Sequence, residues 1–234
     1  MKRARAGLNP AGRLETGAAV LAAAEVVDVT LIKPRVDAFG SAHRAYTEAQ
    51  RAVEAADAQL RAGLTKLEQC DAEQDDAVEE VARALVGDGQ PRSNPFAPFG
   101  VAAPSIVKQL TFAEEAKVIH KLAAAVQGDP TVSKATRRTV QAAEEAAKVM
   151  EAELGPMDKL EATLRTARET RDAAGKIWDT ALAALKRGAR AAADDGAPGL
   201  YTALFGRPSR LKNKAPTPSP TPTPTPTPPA ANAA

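Results

Sequence analysis

Residues 42–81, AHRAYTEAQRAVEAADAQLRAGLTKLEQCDAEQDDAVEEV, decide the fold. Apolar and small side chains recur here at alternating steps of four and three, which places them on one stripe of a helix. The stripe consists of Ala42, Tyr46, Ala49, Val53, Ala56, Leu60, Gly63, Leu67, Cys70, Gln74, Ala77 and Val81. Because its small members let a partner helix approach and its large members fill the remaining space, this helix is predicted to pair along its length.

A second stripe with the same spacing runs through residues 157–185 and is a suitable partner for the first. Its members are Met157, Leu160, Leu164, Ala167, Arg171, Ala174, Trp178, Ala181 and Leu185. Trp178, the single tryptophan, is interpreted as a core residue. An antiparallel pairing of the two halves of the chain would bury both stripes. We therefore predict an all-α fold, an elongated antiparallel helical bundle or coiled coil with long helices.

Proline and glycine mark the ends of the predicted helices. A first helix is expected over residues 10–32, and Pro34 suits the start of the second, which should continue to Val86. The proline-rich residues 87–104 are predicted to form a loop, pinned to the bundle by Phe96 and Phe99.

Further helices are expected after this loop. The spacing of Thr111 and Glu114 is typical of a capping box, so a third helix should start there and end before Gly128. The pattern is helical again over residues 131–154 and, after a pause at Gly155 and Pro156, from residue 157 onward.

Composition supports the helical prediction. Only 3% of the residues are aromatic although 44% are hydrophobic, and alanine supplies much of that apolar share, which disfavours a sheet protein. The one cysteine, Cys70, excludes an internal disulfide and a multi-cysteine metal site. Cys70 is interpreted as a buried, inert thiol. A cytoplasmic location is expected, because the sequence has no internal disulfide and no stretch of transmembrane length.

The chain divides into three predicted regions. Residues 1–9 are expected to be a basic flexible N-terminus, residues 10–206 the helical bundle, and residues 207–234 a disordered tail that is first basic and then rich in Thr and Pro. Such a tail cannot bury enough apolar surface to order itself. We interpret it as an extended spacer, or as a stalk for O-linked modification if the protein is exported.

Charge is distributed unevenly along the chain. Four basic residues and no acid lie in residues 1–14, and the same is true of residues 206–234, while the net charge is only +2, so the body between them is acidic. The candidate anion-binding residues are Arg207, Arg210, Lys212 and Lys214. Without interleaved aromatic residues for base stacking, any nucleic-acid binding should be weak and independent of sequence, and we do not expect nucleic acid as a partner.

Two segments are candidates for binding a protein partner. Asp71, Asp75 and Glu79 share one helix face, which is either a solvated acidic surface or a docking patch for a basic partner, including the basic ends of another copy. The segment 197–206 contains Leu200, Tyr201, Leu204 and Phe205. It is interpreted as a clamp onto the bundle, with a linear docking motif as the alternative.

The sequence indicates no reaction chemistry. His43 and His120 lack partners at metal-ligand spacing, and no phosphate loop or nucleophile motif is present, so we predict no catalytic, metal or cofactor-binding residues. The leading hypothesis is a non-enzymatic helical scaffold or interaction protein, with a protein partner or self-association. One alternative is a membrane-active or secreted helical rod of the pore-forming or secretion-substrate type, whose apolar residues 17–32 insert after rearrangement. Stable membrane insertion is not expected, because Glu25 and Asp28 interrupt that stretch. Another alternative is a weak, sequence-independent nucleic-acid binder that uses the basic ends.

Overall fold

A computed structural model describes residues 9–206, and every observation below refers to that part of the chain. The predictions for residues 1–8 and 207–234, including the basic ends and the Thr-Pro tail, lie outside the described residues. Seven α-helices follow one another in the described part: α1 Pro10–Val26, α2 Lys33–Gly87, α3 Pro104–Val107, α4 Phe112–Gln127, α5 Lys134–Leu154, α6 Met157–Ala191 and α7 Leu200–Phe205. The described residues contain no strand, so the all-α prediction is confirmed.

The dominant element is α2, a single helix of 55 residues. At a rise of ~1.5 Å per residue it is about 80 Å long, which makes the bundle elongated. Pro34 lies in its first turn as predicted, and the helix ends at Gly87, where Gly89 turns the chain with a φ of 94°. Glycine adopts this left-handed conformation without the steric cost that other residues meet.

Helices α5 and α6 cover the α2 stripe from end to end in antiparallel orientation. Contact positions along α2 rise as those on its partners fall: Arg35 with Ala184, Asp57 with Arg168, Lys66 with Glu153, and Ala84 with Thr136. Along the α2 stripe, Tyr46, Val53, Leu67 and Val81 are buried. The predicted antiparallel bundle is therefore confirmed, with the stripe on α6 facing the first part of the α2 stripe and α5 covering the rest.

The core is largest at the two ends of the rod. At one end α1, α7 and the 3₁₀ turn Thr30–Ile32 pack on α2 and α6 around the fully buried Trp178, as predicted for that residue. At the other end α3, α4 and the 3₁₀ turn Ala97–Phe99 pack on α2 and α5. In the middle, the cluster around Val53 and Leu164 comes from α2 and α6 alone.

The prediction of one continuous helix over residues 10–32 is wrong. Helix α1 ends at Val26, because the Asp28 carboxylate accepts hydrogen bonds from the Thr30 amide (3.0 Å) and hydroxyl (2.6 Å). This local side-chain bonding competes with the helix and produces the turn that leads into α2.

The remaining helix boundaries follow the prediction with small shifts. Glu114 accepts from the Thr111 amide and hydroxyl, which confirms the capping box of α4. Helix α5 begins three residues later than predicted, since Ser133 caps it by accepting from the Thr136 amide (3.1 Å). In the proline-rich loop, Phe96 and Phe99 are buried as predicted.

Close packing of α1 on α2 depends on Gly17. A methyl group at this buried position would overlap the imidazole ring of His43, whose Nδ1 accepts a hydrogen bond from Trp178 Nε1 at 3.2 Å. We expect Gly17→Ala to lower the free energy of unfolding by about 1–3 kcal/mol, as overpacking does, despite the better helix propensity of alanine.

Urea unfolding followed by Trp178 fluorescence measures this effect. Gly87→Ala is the matched control, since a methyl group there meets no atom within 4 Å. A Gly17→Ala variant as stable as the natural protein would show that α1 is not packed closely against α2.

Candidate interaction surfaces

An open groove runs between α2 and α6 on the side of the helix pair that α1 leaves uncovered. Its volume is about 620 Å³, and it is lined by Ala38, Ser41, Ala42, Ala45, Lys176, Ile177, Thr180, Ala181 and Ala184. Helix α1 packs elsewhere on the same pair, where Gly17 meets His43 and Arg13 bonds to Asp179 at 2.8 Å. Ile177 has 64% of its surface exposed beside this groove. We call this surface the α2–α6 groove.

A second depression lies further along the same two helices. It has a volume of about 430 Å³ and is lined by Ala52, Lys159, Ala162, Thr163, Thr166, Ala167 and Thr170. Ala45 and Ala52 are seven residues apart, as are Thr170 and Ile177. Seven-residue spacing keeps residues on one helix face, so both depressions lie on the same side of the pair.

Sequence reasoning missed the α2–α6 groove. The stripe residues Ala42 and Ala181 line the groove, but its width comes from flanking positions such as Ala38 and Ala45. Charged residues usually flank a pairing stripe. Alanine at these flanking positions was the available signal.

The acidic face of α2 is partly covered by the neighbouring helices. Glu79 pairs with Lys108, which follows α3, and this interaction lowers the pKa of Glu79. Asp75 is half-buried, and burial raises the pKa of its carboxyl while the nearby Lys108 ammonium opposes the rise. Asp71 is also half-buried, so Glu79 is the most exposed of the three candidates. Whether they bind a basic partner stays a prediction.

Behind this face lies a buried polar pair that the sequence did not reveal. Gln74 of α2 and Glu115 of α4 expose 0% and 1% of their surfaces. Burial raises the pKa of Glu115 to about 7; the Gln74 side chain opposes the rise, and the negative charges of Asp75 and Asp71 add to it. Thr111, Glu114 and Lys117 lie close to Glu115 in the sequence, so nothing local distinguishes it. Only the packing of α4 against its neighbours shows that Glu115 is buried.

The α7 segment packs against the bundle. Leu200 and Leu204 are buried in the core at the α1 end, which is the clamp arrangement. Tyr201 and Phe205 are half-buried and lie under cations, Arg190 at 4.5 Å from the Tyr201 ring centroid and Lys186 at 5.5 Å from that of Phe205. Of the four predicted residues, only Tyr201 and Phe205 are accessible to a partner, because Leu200 and Leu204 are buried in the core.

The two histidines lie at opposite ends of the rod. Burial lowers the pKa of His43, in keeping with a neutral ring that accepts from Trp178. His120 lies between two carboxylates of α5, with Nε2 3.4 Å from Glu151 and Nδ1 3.7 Å from Glu144. Even so, the described residues contain no group of three His, Cys, Asp or Glu side chains placed to hold a metal ion. Cys70 is half-buried, and burial raises the pKa of its thiol.

Comparison of the chain with protein-family models, curated proteins and solved structures found no match. Within residues 9–206, no helix has the combined length and apolar character needed to cross a membrane.

The burial of Leu204 provides a test of the role of α7. Leu204 exposes 4% of its surface, so we expect Leu204→Ala to lower the free energy of unfolding by about 2–4 kcal/mol. Thr202→Ala, at an exposed position on the same helix, should change it by less than about 0.5 kcal/mol. Thermal unfolding followed by circular dichroism gives both values. Equal stability of the two variants would favour α7 as a docking motif rather than a clamp.

Proposed function

We propose that the protein is a non-enzymatic helical scaffold that associates with a second copy of itself through the α2–α6 groove. The observation that carries the proposal is the presence of an exposed isoleucine and a row of alanines on the same surface. We also propose that α2 and α6 pair as a coiled coil, with the large residues of each stripe inserted beside the small residues of the other.

The groove is self-complementary in shape. Ile177 projects beside a surface whose other members are mostly alanine, serine and threonine. A two-fold axis brings the same patch of two copies together, so each Ile177 can enter the partner's alanine groove. Because alanine side chains let backbones approach closely, two helix pairs can form one four-helix layer across this surface.

The size of the surface is in keeping with a stable contact. On α6, its lining residues run from Lys159 to Ala184. That stretch is about 38 Å long at ~1.5 Å per residue. Full burial of an isoleucine side chain contributes about 1.5–3 kcal/mol, and a symmetric dimer gains this contribution twice. The α2–α6 groove and the second depression therefore lie on one face that a second helix pair can cover.

The basic ends and the Thr-Pro tail complete the proposal as extensions that hold or space partners, although they lie outside the described residues. A cytoplasmic location is part of the same proposal. It is supported by the single cysteine, which leaves the chain without an internal disulfide.

The association is tested by Ile177→Asp. We expect the natural protein to be dimeric at micromolar concentration by size-exclusion chromatography with light scattering, and the variant to be monomeric with unchanged helix content, because a buried charge opposes association. Val149→Asp is the matched control, since Val149 of α5 is 49% exposed and lies outside the groove. A natural protein that stays monomeric, or an Ile177→Asp variant that stays dimeric, contradicts the proposal.

Vesicle leakage separates the scaffold from the membrane-active alternative. We expect the full chain to release no dye from anionic or neutral phospholipid vesicles at pH 5 or pH 7, because α1 packs its apolar side on α2 and carries Glu15 and Glu25 on its exposed surface. Leakage at either pH would favour a membrane-active rod.

A further inference from the structure

The interface between α2 and α4 contains a polar pair inside an apolar core. Gln74 and Glu115 are buried there at 0% and 1% exposure, in the same interface as Val78 of α2 and Ala116 and Ile119 of α4. Buried polar groups normally have hydrogen-bond partners. Gln74 and Glu115 are an exception to this rule.

Neither side chain makes all the hydrogen bonds that it can make. Within the described part of the chain, Glu115 Oε1 and both amide atoms of Gln74 are buried without a hydrogen-bond partner. An ionised carboxylate can only accept hydrogen bonds, whereas a protonated one can donate to the Gln74 carbonyl oxygen. The Gln74 amide nitrogen can donate to the ionised form and opposes the rise in the pKa of Glu115, but burial outweighs it, so the protonated state is the one that suits the closed interface.

The two carboxylates nearby act in the same direction as burial, and one lysine opposes them. The charged groups that act on Glu115 from the helices around it are Asp71 and Asp75 of α2, which repel a second negative charge, and Lys108 after α3, which attracts it. Lys108 is already paired with Glu79. Ionisation of Glu115 would place a negative charge in the core beside two other carboxylates.

The segment that carries Glu115 begins and ends at one point of the fold. Asp88, directly after α2, accepts a hydrogen bond from the Ser133 amide, directly before α5, at 2.8 Å. Residues 89–132, which include α3 and α4, form an excursion from that point and are called the arm here. Helix α4 packs closely on α5 and reaches α2 through side chains, so the arm must leave both helices to open, while α2 and α5 keep their own contacts and the rod stays intact.

We propose that this arm lies closed on α2 and α5 while Glu115 holds its proton, and that it opens when the proton is lost. Opening uncovers the apolar faces of α2 and α5 that include Val81, Leu85 and Val140. The proposal does not depend on the proposed dimer, since the α2–α6 groove lies on other parts of the chain.

The direction of the pH effect follows from the altered titration. Burial raises the pKa of Glu115 from 4.5 to about 7, so the closed state binds the proton more tightly than the open state. The closed arm is most stable below pH 4.5. It becomes less stable as the pH rises from there and is least stable above pH 7. Between pH 5.5 and pH 8.5 the open-to-closed ratio should rise roughly thirtyfold.

Hydrogen exchange of the full chain, followed by mass spectrometry at pH 5.5 and pH 8.5 and corrected for intrinsic exchange rates, tests the proposal. We expect peptides from α4 to lose protection at pH 8.5 while peptides from the middle of α6 keep theirs. Glu115→Gln, which imitates the protonated side chain, should abolish the loss. Glu80→Gln, an exposed carboxylate on α2, should retain it.

Two results would overturn the proposal. One is equal protection of α4 at both pH values in the natural protein, and the other is the same loss of protection in α4 and α6. The natural protein alone decides both, so the test stands even if Glu115→Gln fails to fold. A Glu115→Gln variant that folds but keeps the full pH dependence would also contradict the role of Glu115.

Discussion

The fold depends on one constraint, which is that the stripe along α2 must be covered over its whole length. A helix of 55 residues is not stable alone in water, because most helix stability in proteins comes from packing of an apolar face. Two helices share this task, and the short connection at Gly155 and Pro156 lets α6 follow α5 along the same side of α2. Helices α1 and α7 pack on α2 and α6 at one end of the rod, and α4 packs on α2 and α5 at the other, which enlarges the core at both ends.

The two ends differ in the chemistry of their cores. The end that contains α1 and α7 surrounds Trp178 with aromatic side chains, including Phe39 at a ring-centroid distance of 5.5 Å, and its buried histidine nitrogen has a hydrogen-bond partner. The end that contains α3 and α4 holds three unpartnered buried atoms of Gln74 and Glu115, whereas the core at the α1 end has the Tyr46 hydroxyl. Because an unpartnered buried polar group costs stability, the second end is the one from which conformational change should start.

The sequence predicts the helices well because their signals are local. Pro34, Gly87 and the capping box of Thr111 and Glu114 mark helix ends through backbone chemistry that involves neighbouring residues. The break after Val26 is also local, but Asp28 has the same sequence appearance in a helix and in a turn, and only the bond to Thr30 decides between them. The pairing of the stripes follows from spacing, since no other partner of sufficient length exists within residues 9–206.

The candidate sites were harder to predict because they depend on how elements meet. Alanine is common in helix cores and on helix surfaces, so Ala38 and Ala45 do not reveal a groove until the position of α1 is known. Glu115 and Glu114 are adjacent, yet one is buried and the other caps the helix on the surface. A rotation of one residue about the axis of α4 separates these two roles, and the sequence does not fix that rotation.

The most direct test of the account is the distance along α2 in solution. Spin labels at Glu48→Cys and Glu80→Cys, in a Cys70→Ala background diluted with unlabelled protein, report this distance by pulsed electron paramagnetic resonance. The account predicts one narrow distribution near 48 Å, from 32 residues at ~1.5 Å each. A markedly shorter or broad distribution would show that α2 is bent or broken and would contradict the continuous paired rod.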